Sequence, residues 1–296
     1  MQRPGKNPKK HGFQRKDETI RLWQDYHDIG IMLPDYKGNE PDLLAARKML
    51  NQGITQPNHT IIDIGAGAGK ITSGLTDRRV RVLSVEPTHV PFEEHSVQHS
   101  RIRASGLALP FANASADKIL VSYVLSYIDK KKATQEIRRV LKKGGKAVIL
   151  LHKPKSLHMK GIAATSTYYD KMAELVRNIE REKFVRPPEI VGFANRWNLG
   201  GQNPHMKRIL TNFIKSFQDI QARGPRRQSA LQELGAIRNK LERSRAIIRK
   251  LAAEKNLFKS EENIRSFFNR HGLKPIKIET TQDKQGEYGY AVLLEK

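Results

Sequence analysis

Three glycines at alternate positions follow a short apolar run, and their spacing is suited to binding a ligand. They are Gly65, Gly67 and Gly69, with Ala66 between the first two. A residue without a Cβ atom lets the backbone turn sharply and lets a ligand lie against bare main chain. Residues 59–63 before them have the β-branched composition of a strand, and residues 70–75 after them read as the start of a helix. A strand, a glycine turn and a helix N-terminus with free N–H groups predict a site for a nucleotide-like cofactor.

The spacing of the glycines distinguishes between classes of nucleotide-like ligand. A dinucleotide site has the pattern G-x-G-x-x-G/A, but Lys70 stands where the last Gly or Ala should be. A P-loop ends in Gly-Lys followed by Ser or Thr, and here Ile71 follows the lysine. Glu86 ends a predicted strand at residues 80–85 and lies 21 positions after Gly65. A carboxylate at that distance is positioned to accept both hydroxyls of an adenosine ribose.

Three segments resemble one enzyme family. Asp63 with the alternating glycines resembles motif I of the class I S-adenosylmethionine-dependent methyltransferases. Leu109-Pro110-Phe111 is characteristic of the UbiE-like, or type 11, methyltransferase domains, and Arg139–Gly145 resembles a later segment of the same family. The resemblance implies an α/β fold, a Rossmann-like doubly wound seven-stranded sheet whose last strand is antiparallel. It also implies S-adenosyl-L-methionine as the cofactor.

The resemblance also implies which residues contact the cofactor. They are Asp63, Gly65, Ala66, Gly67, Gly69, Glu86, Pro87, Ser105, Gly106, Leu107 and Ser122. Ser105 stands where the family usually has an aspartate that accepts a hydrogen bond from the adenine amino group. We expect the serine hydroxyl to accept this bond more weakly than a carboxylate would, and the N–H of Gly106 to contact the ring.

Candidates for the acceptor side lie at the ends of two later predicted strands. Tyr123 and Tyr127 follow a strand at residues 117–121, and His152 follows one at residues 146–151. The ordinary pKa of histidine suits a general base near neutral pH, although a structural or substrate-orienting role is the alternative. Helices near the N-terminus add Trp23, Tyr26 and Tyr36 as residues that could line the active site, with core packing the alternative for Trp23.

The segment after the fourth strand argues against one reaction. Enzymes that methylate adenine amines carry Asn/Asp-Pro-Pro-Tyr/Phe here, whereas this chain has Ser122 followed by Tyr123. The sequence also has no cysteine, which excludes disulfides, thiolate zinc sites and the cysteine-dependent methylation of cytosine or uridine C5. No metal site is predicted.

The net charge of +24 is unevenly distributed along the 296 residues. Residues 1–16 hold six Lys/Arg and no acid, and residues 153–260 hold 23 Lys/Arg against nine acids. The positive electrostatic field of such regions favours binding to nucleic acid, to an anionic membrane surface or to an acidic substrate. The alternative is that the basic side chains only face solvent. There is no run of 18 apolar residues and no signal-peptide pattern, so we expect a cytoplasmic protein without a transmembrane segment.

The predicted elements divide the chain into three parts. Residues 1–16 are predicted to be a flexible basic tail, and residues 17–154 with 260–296 a methyltransferase domain. Residues 155–259 are predicted to be a helical insertion that recognises substrate or partner, or acts as a lid. Predicted elements of the domain are helices at 41–51, 132–143 and 260–271 and a strand pair at 274–281 and 289–295.

A long helix is predicted at residues 228–257 of the insertion. Leu234, Ile237, Leu241, Ser244, Ile248 and Leu251 recur at steps of three and four residues. So narrow an apolar seam must pair with something. The alternatives are a predicted helix at residues 204–222 and a second subunit of a homodimer.

Three functions remain open at this point. The first is SN2 transfer of a methyl group to an O, N or C nucleophile of a small molecule or amphiphile. The second is methylation of RNA, with the basic tail and insertion binding phosphates; the insertion lacks interleaved aromatic and basic residues for base stacking. The third is a non-catalytic scaffold that binds the cofactor.

Overall fold

The computed structural model describes residues 40–54, 57–75, 79–89, 97–157, 225–252 and 257–296, with Asp77 and single positions between 20 and 24 and between 159 and 181. Tyr26, Tyr36 and the helix predicted at residues 204–222 lie outside the described residues. The chain forms two compact units. One comprises Met1–Met32 and Thr167–Ile247, and the other Leu33–Ser166 and Ile248–Lys296. The predicted domain boundaries stay predictions.

The second unit is built on a seven-stranded sheet. Its strands are β1 (His59–Ile64), β2 (Val80–Val85), β3 (Gln98–Ile102), β4 (Ala116–Ser122), β5 (Leu141–His152), β6 (Lys274–Asp283) and β7 (Gly286–Glu295). Their order is β3-β2-β1-β4-β5-β7-β6. Strands β1 to β5 pair in parallel, and β7 runs antiparallel to both β5 and β6. The predicted doubly wound sheet with an antiparallel last strand is confirmed.

The helices of the described regions are α1 (Pro41–Asn51), α2 (Lys130–Val140), α3 (Pro225–Ala252) and α4 (Glu261–Arg270). Helix α1 has the predicted bounds and starts at a proline, whose missing N–H costs nothing in the first turn. Helix α2 starts two residues earlier than predicted because Asp129 caps it, accepting a bond from the N–H of Lys132 at 3.1 Å. Ser260 caps α4 in the same way, as its sequence predicts.

Side chains of the central strands alternate between two apolar layers. On one face Ile62, Ile119 and Ile149 belong to a buried cluster completed by residues of α2 and α4. On the other face Ile61 and Leu120 pack with the buried side chains of α1. This period-two alternation buries both faces of the parallel strands, as a sheet covered by helices on both sides requires.

The side chain of Lys118 in β4 caps the C-terminal end of helix α1. Its side chain is only 3 % exposed, and its Nζ donates to the backbone carbonyls of Leu50 and Gln52. The last carbonyls of a helix have no partner within the helix, so a buried ammonium satisfies them. Desolvation, with a smaller contribution from Lys146, lowers the pKa of Lys118 to about 8.

Helix α2 holds the Leu109-Pro110-Phe111 segment through its backbone. Glu136 accepts a hydrogen bond from the N–H of Leu109 at 2.7 Å, and Arg139 donates to the carbonyls of Leu109 and Phe111 at 2.9 and 2.7 Å. The two side chains also form an ion pair at 2.8 Å. Their hydrogen bond is the main reason that the pKa of Glu136 lies below its ordinary value.

The helix predicted to start at residues 70–75 is much shorter in the structure. Only Thr72–Gly74 is helical, as a single 3₁₀ turn, and Leu75 is already extended. Arg47 of α1 explains the stop, because its guanidinium donates to the carbonyls of Lys70 and Ile71, which a longer helix would use. A Cβ atom on Gly74 would lie 2.4 Å from Nε of Arg47.

Helix α3 starts at Pro225, three residues earlier than predicted, and Leu257 lies outside the helix. Leu234 of α3 is fully buried. Glu242 pairs with Arg177 at 3.5 Å, and Arg245 pairs with Asp170. The helical residues Asp170 and Arg177 therefore contact α3. The helix predicted at residues 204–222 as its partner lies outside the described residues.

Candidate active site

The glycine turn lies at the carboxyl end of β1 and adopts left-handed backbone angles. Gly65, Gly67 and Gly69 have φ of +68°, +53° and +77°. A Cβ atom on Gly65 would lie 2.3 Å from Cγ2 of Val124, so this position is closed to any larger residue. A Cβ atom on Gly67 would have no atom within 4 Å. The main chain at Gly67 is therefore bare on one side, which is the geometry that a ligand lying against backbone needs.

Backbone hydrogen bonds hold the turn against the end of β2. The N–H groups of Gly65 and Ala66 both donate to the carbonyl of Val85, at 2.8 and 3.3 Å. Gly69 closes the turn by donating to the carbonyl of Ala66 at 2.8 Å. Because Glu86 directly follows Val85, these bonds bring the turn and Glu86 together.

Glu86 is 7 % exposed and bonds to the glycine turn. Its Oε2 accepts a hydrogen bond from the N–H of Gly67 at 3.0 Å. Its Oε1 accepts two bonds from Thr88, one from the backbone N–H at 3.0 Å and one from the hydroxyl at 2.6 Å. Pro87 between them is half-buried. Sequence reasoning missed Thr88, because no spacing rule relates a residue after a strand to the orientation of its terminal carboxylate.

Asp63 lies in β1 just before the turn and is 2 % exposed. Its Oδ2 accepts a bond from the hydroxyl of Thr72 at 3.2 Å, while Oδ1 meets no donor among the described residues. Burial raises its pKa to about 7, and the neighbouring Glu86 adds to the rise. A buried carboxyl oxygen without a donor, beside a bare backbone, suits a polar or cationic ligand group.

The adenine-side candidates form a tight turn next to the end of β1. The hydroxyl of Ser105 accepts a bond from the N–H of Leu107 at 3.2 Å, and its carbonyl accepts one from Ala108. A Cβ atom on Gly106 would lie 2.7 Å from Cγ2 of Ile64, so the turn packs directly on that strand. Ser105 retains acceptor capacity beyond its bond to Leu107, since a hydroxyl oxygen has two lone pairs.

Tyr123, Tyr127 and His152 meet at the same edge of the sheet. The Tyr123 ring stacks on the His152 ring with centroids 4.4 Å apart and planes 23° apart. The hydroxyl of Tyr127 lies 3.1 Å from Nε2 of His152. His152 is only 2 % exposed, whereas Tyr127 is half-buried. Ser122 ends β4 immediately before them, paired in register with Leu150.

Asp42 of α1 completes this cluster and was not predicted. Its fully buried carboxylate accepts a hydrogen bond from the hydroxyl of Tyr123 at 2.5 Å. Tyr123 adopts a left-handed conformation, with φ +60° and ψ 7°, which costs a non-glycine residue roughly 1–3 kcal/mol. The signal in the sequence is faint: an acid in the first turn of a helix, where the helix dipole stabilises it.

The cofactor candidates and the aromatic cluster share one edge of the sheet. Parallel strands present their carboxyl ends together, and β1, β2, β4 and β5 are parallel neighbours. Val124 joins the two groups, because it touches the glycine turn at Gly65 and directly follows Tyr123. Trp23, at a half-buried helical position, belongs to the other compact unit.

The donor set suits an adenosine ligand. Gly67 offers bare backbone, Glu86 a carboxylate, and Asp63 an oxygen that meets no donor in the part of the chain that the structure describes. Among the described residues, no group of three or more His, Cys, Asp or Glu side chains could hold a metal ion.

Over the same residues, no helix is long and apolar enough to cross a membrane.

The known sequences that this chain resembles are those of methyltransferases. The profile of a family described as "Methyltransferase domain" matches residues 62–149. An "Uncharacterized methyltransferase" of Mycolicibacterium gilvum is 38% identical over 105 residues, 33% of this chain and 40% of that protein. A second, from Mycolicibacterium paratuberculosis, is 36% identical over 128 residues, 40% of this chain and 48% of that protein. The chain thus spans less than half the length of these relatives.

Among solved structures, a Burkholderia thailandensis enzyme has a similar fold. It is the 1,6-didemethyltoxoflavin-N1-methyltransferase, solved with 1,6-didemethyltoxoflavin and S-adenosylhomocysteine bound. The TM-score is 0.52 at 11% identity, over 99% of this chain and 93% of that one. Residues 62–149 thus match a methyltransferase domain, and the fold of the chain is similar to that of this methyltransferase.

Proposed function

We propose that the protein transfers a methyl group from S-adenosylmethionine to an O, N or C nucleophile of a small molecule or amphiphile. The observation that carries the proposal is the meeting of two groups at one edge of the sheet. Gly67 and Glu86 offer bare backbone and a carboxylate, and Tyr127 with His152 offers a hydrogen-bonded pair. The sulfonium of the cofactor supplies an activated methyl group, so the protein has mainly to position donor and acceptor.

Positioning alone accounts for much of such a rate enhancement. Holding two reactants in line can lower a barrier by about 7–11 kcal/mol. The glycine turn, Glu86 and the Ser105 turn would hold the adenosine and methionine portions. Gly65, which has no space for a side chain, and the buried Asp63 fix the end of β1, where the turn begins.

Tyr127 and His152 would remove the proton of a hydroxyl or amine acceptor. His152 is nearly inaccessible, so the half-buried Tyr127 meets the acceptor first. In this scheme the acceptor proton passes to Oη of Tyr127 while Tyr127 passes its own proton to Nε2 of neutral His152. Tyr123 lies against the imidazole face and keeps the ring in place.

The helical insertion at residues 155–259 is proposed to recognise the acceptor. Replacing residues 167–247, which belong to the other compact unit, by a short linker should leave S-adenosylhomocysteine binding intact and abolish transfer. Transfer to a small acceptor that survived the deletion would remove the recognition role. A homodimer formed through the helix predicted at residues 228–257 would appear as a concentration-dependent mass in sedimentation.

Copurification mass spectrometry tests the proposed function and identifies the acceptor. The protein purified from cells should carry S-adenosylhomocysteine or S-adenosylmethionine, and with methyl-tritiated cofactor a cell extract should gain label in its small-molecule or lipid fraction. Tyr127→Phe and His152→Ala variants should lose the label and keep the cofactor. Label in the RNA fraction would support the RNA alternative, and bound cofactor without any label would support a scaffold.

A further inference from the structure

Thr88 makes two of the three hydrogen bonds that Glu86 receives from the described residues. Both go to Oε1, from the backbone N–H at 3.0 Å and from the hydroxyl at 2.6 Å. Thr88 is 2 % exposed, so its hydroxyl is shielded from water. A short O–H bond to a carboxylate in such surroundings is among the stronger hydrogen bonds in proteins.

The loop that carries Thr88 is anchored from the neighbouring strand. Arg101 of β3 donates to the carbonyl of Thr88 at 3.3 Å, and Arg103 donates to the carbonyl of Pro87 at 3.4 Å. The position of Thr88 is therefore set by β3 and does not depend on Glu86 alone. A fixed donor pair on a fixed loop determines the rotation of the carboxylate plane.

That rotation decides which oxygen faces the glycine turn. A carboxylate oxygen accepts about two hydrogen bonds, and Thr88 supplies two to Oε1. Oε2 then points to Gly67, whose N–H it accepts at 3.0 Å. Oε2 keeps one of its two acceptor positions, beyond the bond to Gly67, for a ligand hydroxyl.

We infer that Thr88 is a positioning residue that orients Glu86 toward the ribose hydroxyls of the adenosine cofactor. The inference rests on the proposed function, because it presumes an adenosine cofactor at this turn. Without the Thr88 hydroxyl the carboxylate rotates more freely, and its bonds to the ribose lose their preset direction. Affinity for a ribose with both hydroxyls then falls, whereas affinity for a deoxyribose analogue changes much less.

Calorimetric binding of S-adenosylhomocysteine and its 2′-deoxy and 3′-deoxy analogues to the full chain tests this inference. Thr88→Val removes only the hydroxyl and keeps the shape, the branching and the N–H. We expect Thr88→Val to weaken S-adenosylhomocysteine binding about tenfold, the size of one hydrogen bond to a charged group. Thr88→Ser keeps the hydroxyl and should bind as the unmodified protein does.

The deoxy analogues separate positioning from a general structural effect. In the unmodified protein each missing hydroxyl should cost affinity, and in Thr88→Val this cost should shrink toward none. An equal loss for all three ligands in Thr88→Val, or no loss for any, would overturn the inference even if the cofactor binds. Failure of the unmodified protein to bind S-adenosylhomocysteine would instead count against the proposed function. Thermal unfolding of the variants shows whether Thr88→Val is folded; if it is not, Thr88→Ala, which also lacks the hydroxyl, takes its place in the same comparison.

Discussion

Asp63 should make stability fall as the pH rises. Its pKa is about 7 in the folded protein, against an ordinary value of 3.8, so the folded state binds the proton more tightly than the unfolded chain does. The contribution of this tighter proton binding to the free energy of unfolding is complete below pH 3.8 and is lost as the pH rises through 7. Between these values we expect the free energy of unfolding to decline by about 2–4 kcal/mol relative to Asp63→Asn. Urea titrations of both proteins at several pH values measure this; parallel pH curves would contradict it.

Asp42 and Tyr123 should be energetically coupled. Their side chains share a buried 2.5 Å hydrogen bond that holds a strained tyrosine. Asp42→Ala and Tyr123→Phe should each cost about 2–4 kcal/mol, because each leaves a buried polar partner unsatisfied. The double variant should lose clearly less than the two single losses combined, as a double-mutant cycle of denaturation would show. Strict additivity would mean that the bond contributes nothing.

Residue types and spacing predicted one half of the candidate site better than the other. The glycines and Glu86 come from one strand–turn–helix unit and one strand end, so counting positions brings them together. The contacts of Asp42 and Thr88 could not be predicted by such counting. Asp42 meets Tyr123 across 81 positions of sequence, and the role of Thr88 depends on which oxygen of Glu86 it contacts.

Among the elements, the end of α1 depends on a buried lysine. Lys118→Met keeps the length of the side chain and removes both hydrogen bonds to the last carbonyls of the helix. We expect a loss of about 2–4 kcal/mol of stability, since two buried carbonyls are left without donors. Denaturation at pH 7 measures the loss, and Lys142→Met at an exposed lysine is the control. Equal stability of the two variants would contradict the capping role.

The clamp of α2 on the Leu109-Pro110-Phe111 segment predicts an effect on binding. Arg139→Met removes the bonds to the carbonyls of Leu109 and Phe111, only a few residues after the Ser105 turn. We expect it to cost about 1–3 kcal/mol of stability and to weaken S-adenosylhomocysteine binding. Arg138→Met is the neighbouring control. Lower stability with unchanged binding would confine the clamp to the fold.

Sequence patterns predicted element bounds where the signal is local. Proline at the start of α1 and Ser260 before α4 are chemical caps that act within one turn. The short turn at Thr72–Gly74 was mispredicted because Arg47 competes for its carbonyls from another helix. A side chain 23 to 24 residues away leaves no local trace in the sequence.

At the scale of the whole molecule, the charge of +24 tests the choice of acceptor. A strong positive charge attracts RNA phosphates at low salt, and the logarithm of such an affinity falls linearly with the logarithm of the salt concentration. We expect tRNA binding to be lost near physiological salt while S-adenosylhomocysteine binding persists. Salt titration of both ligands by fluorescence and calorimetry measures this. Tight tRNA binding at that salt, with methyl label on the RNA, would contradict the small-molecule acceptor.

The sheet order is the whole-molecule feature that the resemblance predicted well, because three motifs fix which strands surround the cofactor edge. The acceptor escaped prediction for a physical reason. Residues 155–259 have no motif whose chemistry names a ligand, and the cofactor edge is common to domains that methylate many different compounds.

The central claim is that the glycine turn binds S-adenosylmethionine, and Gly67→Asp tests it most directly. Gly67 and Gly53 both have positive φ, +53° and +72°, and a Cβ atom on either would have no atom within 4 Å. Gly53→Asp, which follows the Lys118-capped end of α1, is therefore a matched control. In calorimetric titrations with S-adenosylhomocysteine, Gly67→Asp should weaken binding about 100-fold or more by placing a second carboxylate beside Glu86. Gly53→Asp should bind like the unmodified protein. Unchanged affinity in Gly67→Asp, or an equal loss in both variants, would contradict the account.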